Sequence, residues 1–307
     1  MRVMKALSYL YYLLVASLWW MYHIVPVKRA YGLGFSIGAG LFSIFRRGKR
    51  ARTAIDNVVI AGLAKTRAEA YCIARDSVGH FVGHVCEALR APHVVTHENW
   101  RDYVELDMTP EAKSAIFEMK KPILLATGHL GAWEAGITAI TSARPMFAVA
   151  RLMDNPYIQK FLDRHNFRSG ATIIPKRHGF SGDTLRRWQK ENAAMTILFD
   201  QYSSHGAVVP FFGHDVPVFT SPARLSIKTG IPVLVGGFLR TGLMKYKMVI
   251  VGDLIYPDAS KPYEESVKEL TAEYISRLEQ VIRQAPDQYL WLHRRFRRIP
   301  VPQIPEK

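Results

Sequence analysis

The sequence is poor in cysteine: Cys72 and Cys86 are the only two in 307 residues. They lie too far apart along one helical-looking stretch to bridge, and two thiols are too few for a disulfide framework or a zinc site. A reducing compartment is the default expectation. Glycine (21) and proline (17) show no period, which excludes collagen-like, solenoid and low-complexity classes. Acid is also scarce, with 26 Asp and Glu against 41 Lys and Arg for a net charge of +15. A charge that large implies an anionic partner: a membrane surface, nucleic acid or an acidic protein. What is present in quantity is apolar material, 49% of the chain, which excludes disorder and suffices for a core of ordinary size.

The charge is uneven. Arg2, Lys5, Lys28, Arg29, Arg46, Arg47, Lys49, Arg50 and Arg52 precede the first acid, Asp56, and a second cluster runs His293-Arg294-Arg295-Phe296-Arg297-Arg298. Between Lys5 and Lys28 stand 22 residues without Asp, Glu, Lys or Arg. As one helix they would extend roughly 33 Å, enough to cross the hydrocarbon layer. Tyr9, Tyr11, Tyr12, Trp19, Trp20 and Tyr22 are side chains that favour the bilayer interface. Residues 1–27 therefore read as a membrane anchor, spanning or interfacial, and 28–49 as a basic juxtamembrane segment; no small-x-small cleavage site marks a signal peptide. The cations at 46–52 place the remainder, 50–307, on the cytoplasmic side, although Arg2 and Lys5 flank the other end. Nucleic acid is the minor reading, because no binding module accompanies the basic residues.

Residues from about 50 to 90 have helical periodicity, with Thr66-Arg67-Ala68-Glu69 as a capping box. The pattern then changes to short apolar runs at 122–126, 146–150, 171–174, 193–199, 231–235 and 248–251. Helix signals stand between several of them: Thr109-Pro110-Glu111 as an N-cap with proline at the first position, and 221–228 closed by Gly230. A long amphipathic helix bearing Val267, Leu270, Tyr274, Ile275, Leu278 and Ile282 stops before Pro286. Buried strands alternating with helices give an α/β fold with a mostly parallel central sheet flanked by helices, preceded by a membrane-anchoring helix.

Reactive groups in such sheets sit beyond the carboxyl ends of strands. Thr127-Gly128-His129-Leu130-Gly131-Ala132-Trp133-Glu134 falls there. His129 is a candidate general base. Glu134, five residues on, would be about 140° away on an ideal helix, so the two meet only if Gly128 and Gly131 turn the chain sharply. A carboxylate on one ring nitrogen would fix the tautomer and raise the basicity of the other. The alternative is a histidine capping a helix beside a solvated glutamate. Gly34-Phe35-Ser36-Ile37-Gly38 matches a nucleophile-elbow pattern but follows no strand, and reads better as a helix-packing run. His178, His205 and His214 lack metal-like spacing, so no metal is expected.

The stretch Gly128 to Glu134 resembles the Gly-His-aromatic-Gly-Asn-Trp-Glu signature of the lipid A biosynthesis late acyltransferases, the lauroyl/myristoyl transferase family. Arg151 with Asn155, Phe167-Arg168-Ser169-Gly170, Asp200-Gln201 with Val209-Pro210-Phe211-Phe212-Gly213, and the ending Pro286-Asp287-Gln288-Tyr289-Leu290-Trp291-Leu292-His293-Arg294-Arg295-Phe296 are similar to its further motifs, in order. The resemblance covers nearly the whole chain. It implies transfer of a fatty acyl chain from an acyl carrier protein or CoA thioester, with no other cofactor, to a hydroxyl of an anionic glycolipid at the cytoplasmic face of the cell inner membrane. In that reading His129 deprotonates the acceptor and Glu134 orients it. Arg151 and the backbone amides after His129 meet the oxyanion, Arg168 holds a phosphate, and Asp200 and Gln201 shape the substrate pocket. Ala132 stands where the family has Asn, so a phosphatidylinositol mannoside is an alternative acceptor. The competing class is a non-catalytic lipid- or nucleic-acid-binding membrane protein.

Overall fold

The computed structural model describes residues 2–22, 24–88, 93–150, 152–164, 170–175, 181–258 and 260–307. Four helices lead: α1 (Arg2–Tyr22), α2 (Val27–Ile44), α3 (Lys49–Ile60) and α4 (Arg67–Ala88). The capping box forms at the start of α4, with the Thr66 hydroxyl accepting from the Glu69 amide at 3.2 Å and the Glu69 carboxylate from the Lys65 amide at 2.7 Å.

No helix among the described residues is long and apolar enough to cross a membrane, which corrects the spanning form of the anchor. The uncharged stretch is divided: α1 ends at Tyr22, and α2 starts a new helix at Val27 behind Pro26. Residues 6–22 of α1 rise only about 25 Å, short of the roughly 30 Å hydrocarbon layer. Through Tyr9, Tyr12 and Trp19, α1 packs instead on Tyr157 and Phe161 of α7 (Pro156–Arg164), with ring centroids 5.3–6.1 Å apart. The Asn155 amide donates to the Ser8 carbonyl at 2.8 Å, and its oxygen caps α7. Most of the segment read as basic and juxtamembrane is α2, which lies along α4. Gly34 and Gly38 face Gly83, Cys86, Val78 and Val82, and a Cβ on Gly34 would stand 2.8 Å from the Gly83 Cα. Gly79 and Gly83 in turn admit the rings of Phe35 and Tyr31. The Gly-x-x-x-Gly run is thus a helix-packing seam. Cys72 and Cys86, both on α4, are not joined in a disulfide.

The sheet has seven strands: β1 (Val104–Asp107), β2 (Ile123–Thr127), β3 (Met146–Ala150), β4 (Thr172–Pro175), β5 (Ala194–Leu198), β8 (Val233–Gly242) and β9 (Lys245–Ile250), in the order β1-β9-β8-β2-β5-β3-β4. Strands β8, β2, β5, β3 and β4 are mutually parallel, whereas β9 turns back antiparallel to β8 and pairs parallel with β1. The mostly parallel sheet is as expected. Helices α5 (Pro110–Phe117), α6 (Trp133–Thr141), α7, α8 (Gly182–Lys190) and α9 (Ser221–Thr229) alternate with the strands, and α10 (Tyr263–Gln284) carries the apolar stripe into the core. Thr109 caps α5 by accepting from Ala112 at 3.1 Å, and Gly230 closes α9 at φ +69°.

Two strands outside the sheet form a hairpin, β6 (Tyr202–Phe211) and β7 (His214–Val218). Its two-residue loop is Phe212-Gly213, both at positive φ (50° and 75°), the geometry of a primed turn. The Pro-Phe-Phe-Gly motif is therefore a turn whose rings are core: Phe211 stacks on Phe296, and Phe212 lies against Trp291.

Candidate active site

Strands β2 and β5 are neighbours in parallel register, Thr127 beside Leu198. The residues just past their carboxyl ends must therefore meet, and these are Gly128-His129 and Phe199-Asp200-Gln201. Asp200 Oδ1 lies 2.8 Å from His129 Nδ1, and Oδ2 accepts from the His129 amide at 3.1 Å. The carboxylate is 3% exposed and the imidazole 27%, so the pair has a dry side and a reachable one. Burial pushes the Asp200 carboxyl up. The charge of His129, its two hydrogen bonds and the more distant Arg295 outweigh this and hold it below the usual carboxylate range. With the imidazole neutral, Nδ1–H donates to the ionised Asp200 and the lone pair is left on Nε2. That nitrogen faces the side-chain amide of Gln201 at 3.4 Å.

The acid on His129 is thus Asp200 and not Glu134. Glu134 sits in the first turn of α6 and points the other way, to His84 of α4 at 2.5 Å, both almost wholly buried. Trp133 closes over His84 with ring centroids 4.1 Å apart. Asp200 and Gln201, expected to shape the pocket, come together at the two ring nitrogens of His129. Arg151 and Arg168 lie outside the described residues. Ala132, 2% exposed, is the N-cap of α6 and gives no side-chain cap, whereas the family's Asn could.

The turn after His129 is fully engaged by its own protein. Leu130 N donates to Gly128 O (3.0 Å), Gly131 N to Gln288 O (3.1 Å) and Ala132 N to Phe238 O (2.7 Å). With His129 N on Asp200, these amides are committed elsewhere, which corrects their assignment as oxyanion donors. Gly131 is obligatory: its φ is +63°, and a Cβ there would fall 1.6 Å from the Phe238 carbonyl oxygen. Residues 286–296 close the back of the site. Leu290 N donates to His129 O at 2.9 Å, and Tyr289 bridges Leu130. Burial and the neighbouring Asp200 charge push the Tyr289 hydroxyl well above its ordinary value. Arg295 is buried and donates to the Pro217 carbonyl at 3.2 Å.

A second polar layer, not visible in the sequence motifs, lies beneath. His80, His84 and Glu87 follow one face of α4 at helical spacing. Glu87 pairs with Arg240 of β8, whose guanidinium rests 3.6 Å from the Tyr31 ring centroid. Burial pushes the Tyr31 phenol up to about 12, so it stays protonated and donates to His80 Nδ1. The other nitrogen, Nε2, then donates to Asp287 at 3.0 Å.

A partly exposed imidazole backed by a buried carboxylate thus lies beyond the carboxyl ends of parallel strands in an α/β fold. The chain belongs to the bacterial lipid A biosynthesis acyltransferase family, whose model matches residues 2–298, and it is an acyltransferase. A solved 1-acyl-sn-glycerophosphate (LPA) acyltransferase from Thermotoga maritima is similar to it at 13% identity, over 81% of this chain and 96% of that one, with a TM-score of 0.36. No curated protein matches the sequence.

Proposed function

We propose that the protein transfers a fatty acyl chain from a carrier-protein or CoA thioester to a hydroxyl of a lipid A precursor. The observation that carries this reading is the Asp200–His129 pair at 2.8 Å, in which the imidazole is 27% exposed. His129 Nε2 takes the proton of the acceptor hydroxyl as its oxygen attacks the thioester carbonyl, and Asp200 stabilises the imidazolium. Collapse of the tetrahedral adduct breaks the C–S bond, and the imidazolium proton passes to the departing thiolate. No acyl-enzyme forms, since the acceptor oxygen attacks directly. The oxyanion takes its hydrogen bonds from side chains, Gln201 and Arg151, because the turn amides are occupied.

The reaction belongs at the cytoplasmic face of the inner membrane, with the protein lying on the surface. That placement is supported by the exposed Leu10, Leu14, Trp20 and Ile24 of the α1 region, by Ile44 and Phe45 at the end of α2, and by the adjoining cations Arg46 to Arg52. The anionic acceptor is then presented by the same lipid surface. The test is thioester-dependent acylation of a purified lipid A precursor in detergent by the parent protein and by His129→Ala. A loss of at least 100-fold is expected, on the scale of general-base removal. Unchanged turnover sinks the mechanism. Lipid mass spectrometry of cells with and without the protein names acyl chain and acceptor from the mass gained.

A further inference from the structure

One residue outside the strand-end motif ties the loop after His129 to β8. Gln288 belongs to the half-turn Pro286–Gln288 that follows α10 and is only partly buried. Its side chain grips the backbone of Arg240 at both ends: Oε1 accepts from Arg240 N at 2.8 Å, and Nε2 donates to Arg240 O at 2.9 Å. Its own carbonyl accepts from Gly131 N, and two residues on Leu290 N donates to His129 O. On the opposite side of the same turn, Phe238 O takes Ala132 N. The loop 128–132 is therefore clasped between β8 and residues 288–290, and the Gln288 amide is the fastening between those two jaws.

The jaws are anchored from behind. Arg240 is fixed through its guanidinium by buried Glu87 and by the Tyr31 ring, and Asp287 by His80. Side-chain amides that pair with one backbone unit through both donor and acceptor tolerate little sliding, because any shift along the strand stretches both bonds at once.

Resting on the general-base reading above, we propose that Gln288 is a positioning residue for His129: by locking residues 288–290 to β8 it sets the height of the imidazole against Asp200 and the substrate. It touches neither substrate nor the reacting atoms. Misplacing a reacting group by about 1 Å can cost on the order of 100-fold in rate.

Gln288→Met keeps the length and loses both bonds. In the full-length protein, kcat for acylation is expected to fall about 10- to 100-fold, while KM for thioester and acceptor changes by less than about threefold. Hydrogen exchange supplies a readout that needs no turnover: the peptide containing Leu130 to Ala132 should exchange faster in the variant, with the β2 and β5 peptides unchanged. Gln288→Glu, which retains an acceptor for Arg240 N but places a second acceptor against Arg240 O, should also exchange faster and lose kcat. Native kcat in both variants, or a loss of kcat with unaltered exchange at 130–132, overturns the proposal. The two readings separate cleanly. If His129→Ala abolishes activity and both Gln288 variants keep native kcat, only the positioning role falls; if His129→Ala is fully active, both fall.

Discussion

Asp200→Asn preserves the size of a buried side chain and removes the charge that fixes the imidazole tautomer. A drop in kcat of roughly 10³- to 10⁴-fold is expected, by analogy with the loss of the orienting acid in other His–Asp sites. Glu134→Gln, which disturbs the His84 pair behind the turn, should act mainly on stability. Equal kcat losses, or a larger one at Glu134, would return the orienting role to Glu134. The pH dependence follows from the same carboxylate. Its folded value lies below the ordinary 3.8, so the stabilisation it gives is complete above about pH 4 and is lost as the pH falls through the folded value. Thermal unfolding followed from pH 7 to pH 3 should show that loss, and Asp200→Asn should flatten it. His129 and Asp200 were both legible as strand-end residues, but their partnership was not. Spacing along the chain offers only near neighbours such as Glu134, whereas the adjacency of β2 and β5 is a property of strand order. His84, the actual partner of Glu134, lies on a helix fifty positions earlier and carries no motif.

Apolar runs located the five parallel strands and the end of β9, and caps located α4, α5 and α9, because burial and end chemistry are local signals. The β6–β7 hairpin was missed: its turn is Phe-Gly, and Phe212 at φ 50° is held by tertiary packing against Phe211 and Trp291, not by a turn-forming side chain. Short β1 had no run of its own. The spanning form of the anchor was overread, since counting uncharged residues ignores the break before Pro26. The α2–α4 seam yields paired predictions. Gly34→Ala puts a methyl 2.8 Å from the Gly83 backbone and should destabilise by about 1–3 kcal/mol through overpacking. Gly40→Ala, on the exposed side of the same helix with nothing within 4 Å, should stabilise by roughly 0.5–1 kcal/mol. Denaturant midpoints of the two variants measure both, and a shared sign would contradict the seam.

Over the whole molecule, the +15 charge divides between an exposed basic edge and buried work. Arg240 and Arg295 are spent inside, on Glu87 and beside Asp200, while Arg46, Arg47, Lys49, Arg50 and Arg52 stay at the surface next to exposed Ile44 and Phe45. Replacing Arg46 and Arg47 with Glu should weaken cosedimentation with anionic vesicles by at least 10-fold, at about 1 kcal/mol per cation, and added salt should erase the difference. Binding indifferent to both would remove the surface-docking reading. The closing segment has one more consequence, which concerns how the enzyme comes into being. His129 and Asp200 are translated before residue 201 is passed and the last strand of the sheet, β9, ends at Ile250, yet the clasp on the His129 loop comes from residues 288–290, and Pro305 and Glu306 tie back to the start of α4. A nascent chain or a proteolytic fragment ending before Pro286 would hold the chemistry without the geometry. On the proposed clasp, activity should arise only late in synthesis, and premature stops before Pro286 should read as null alleles, not as mild ones.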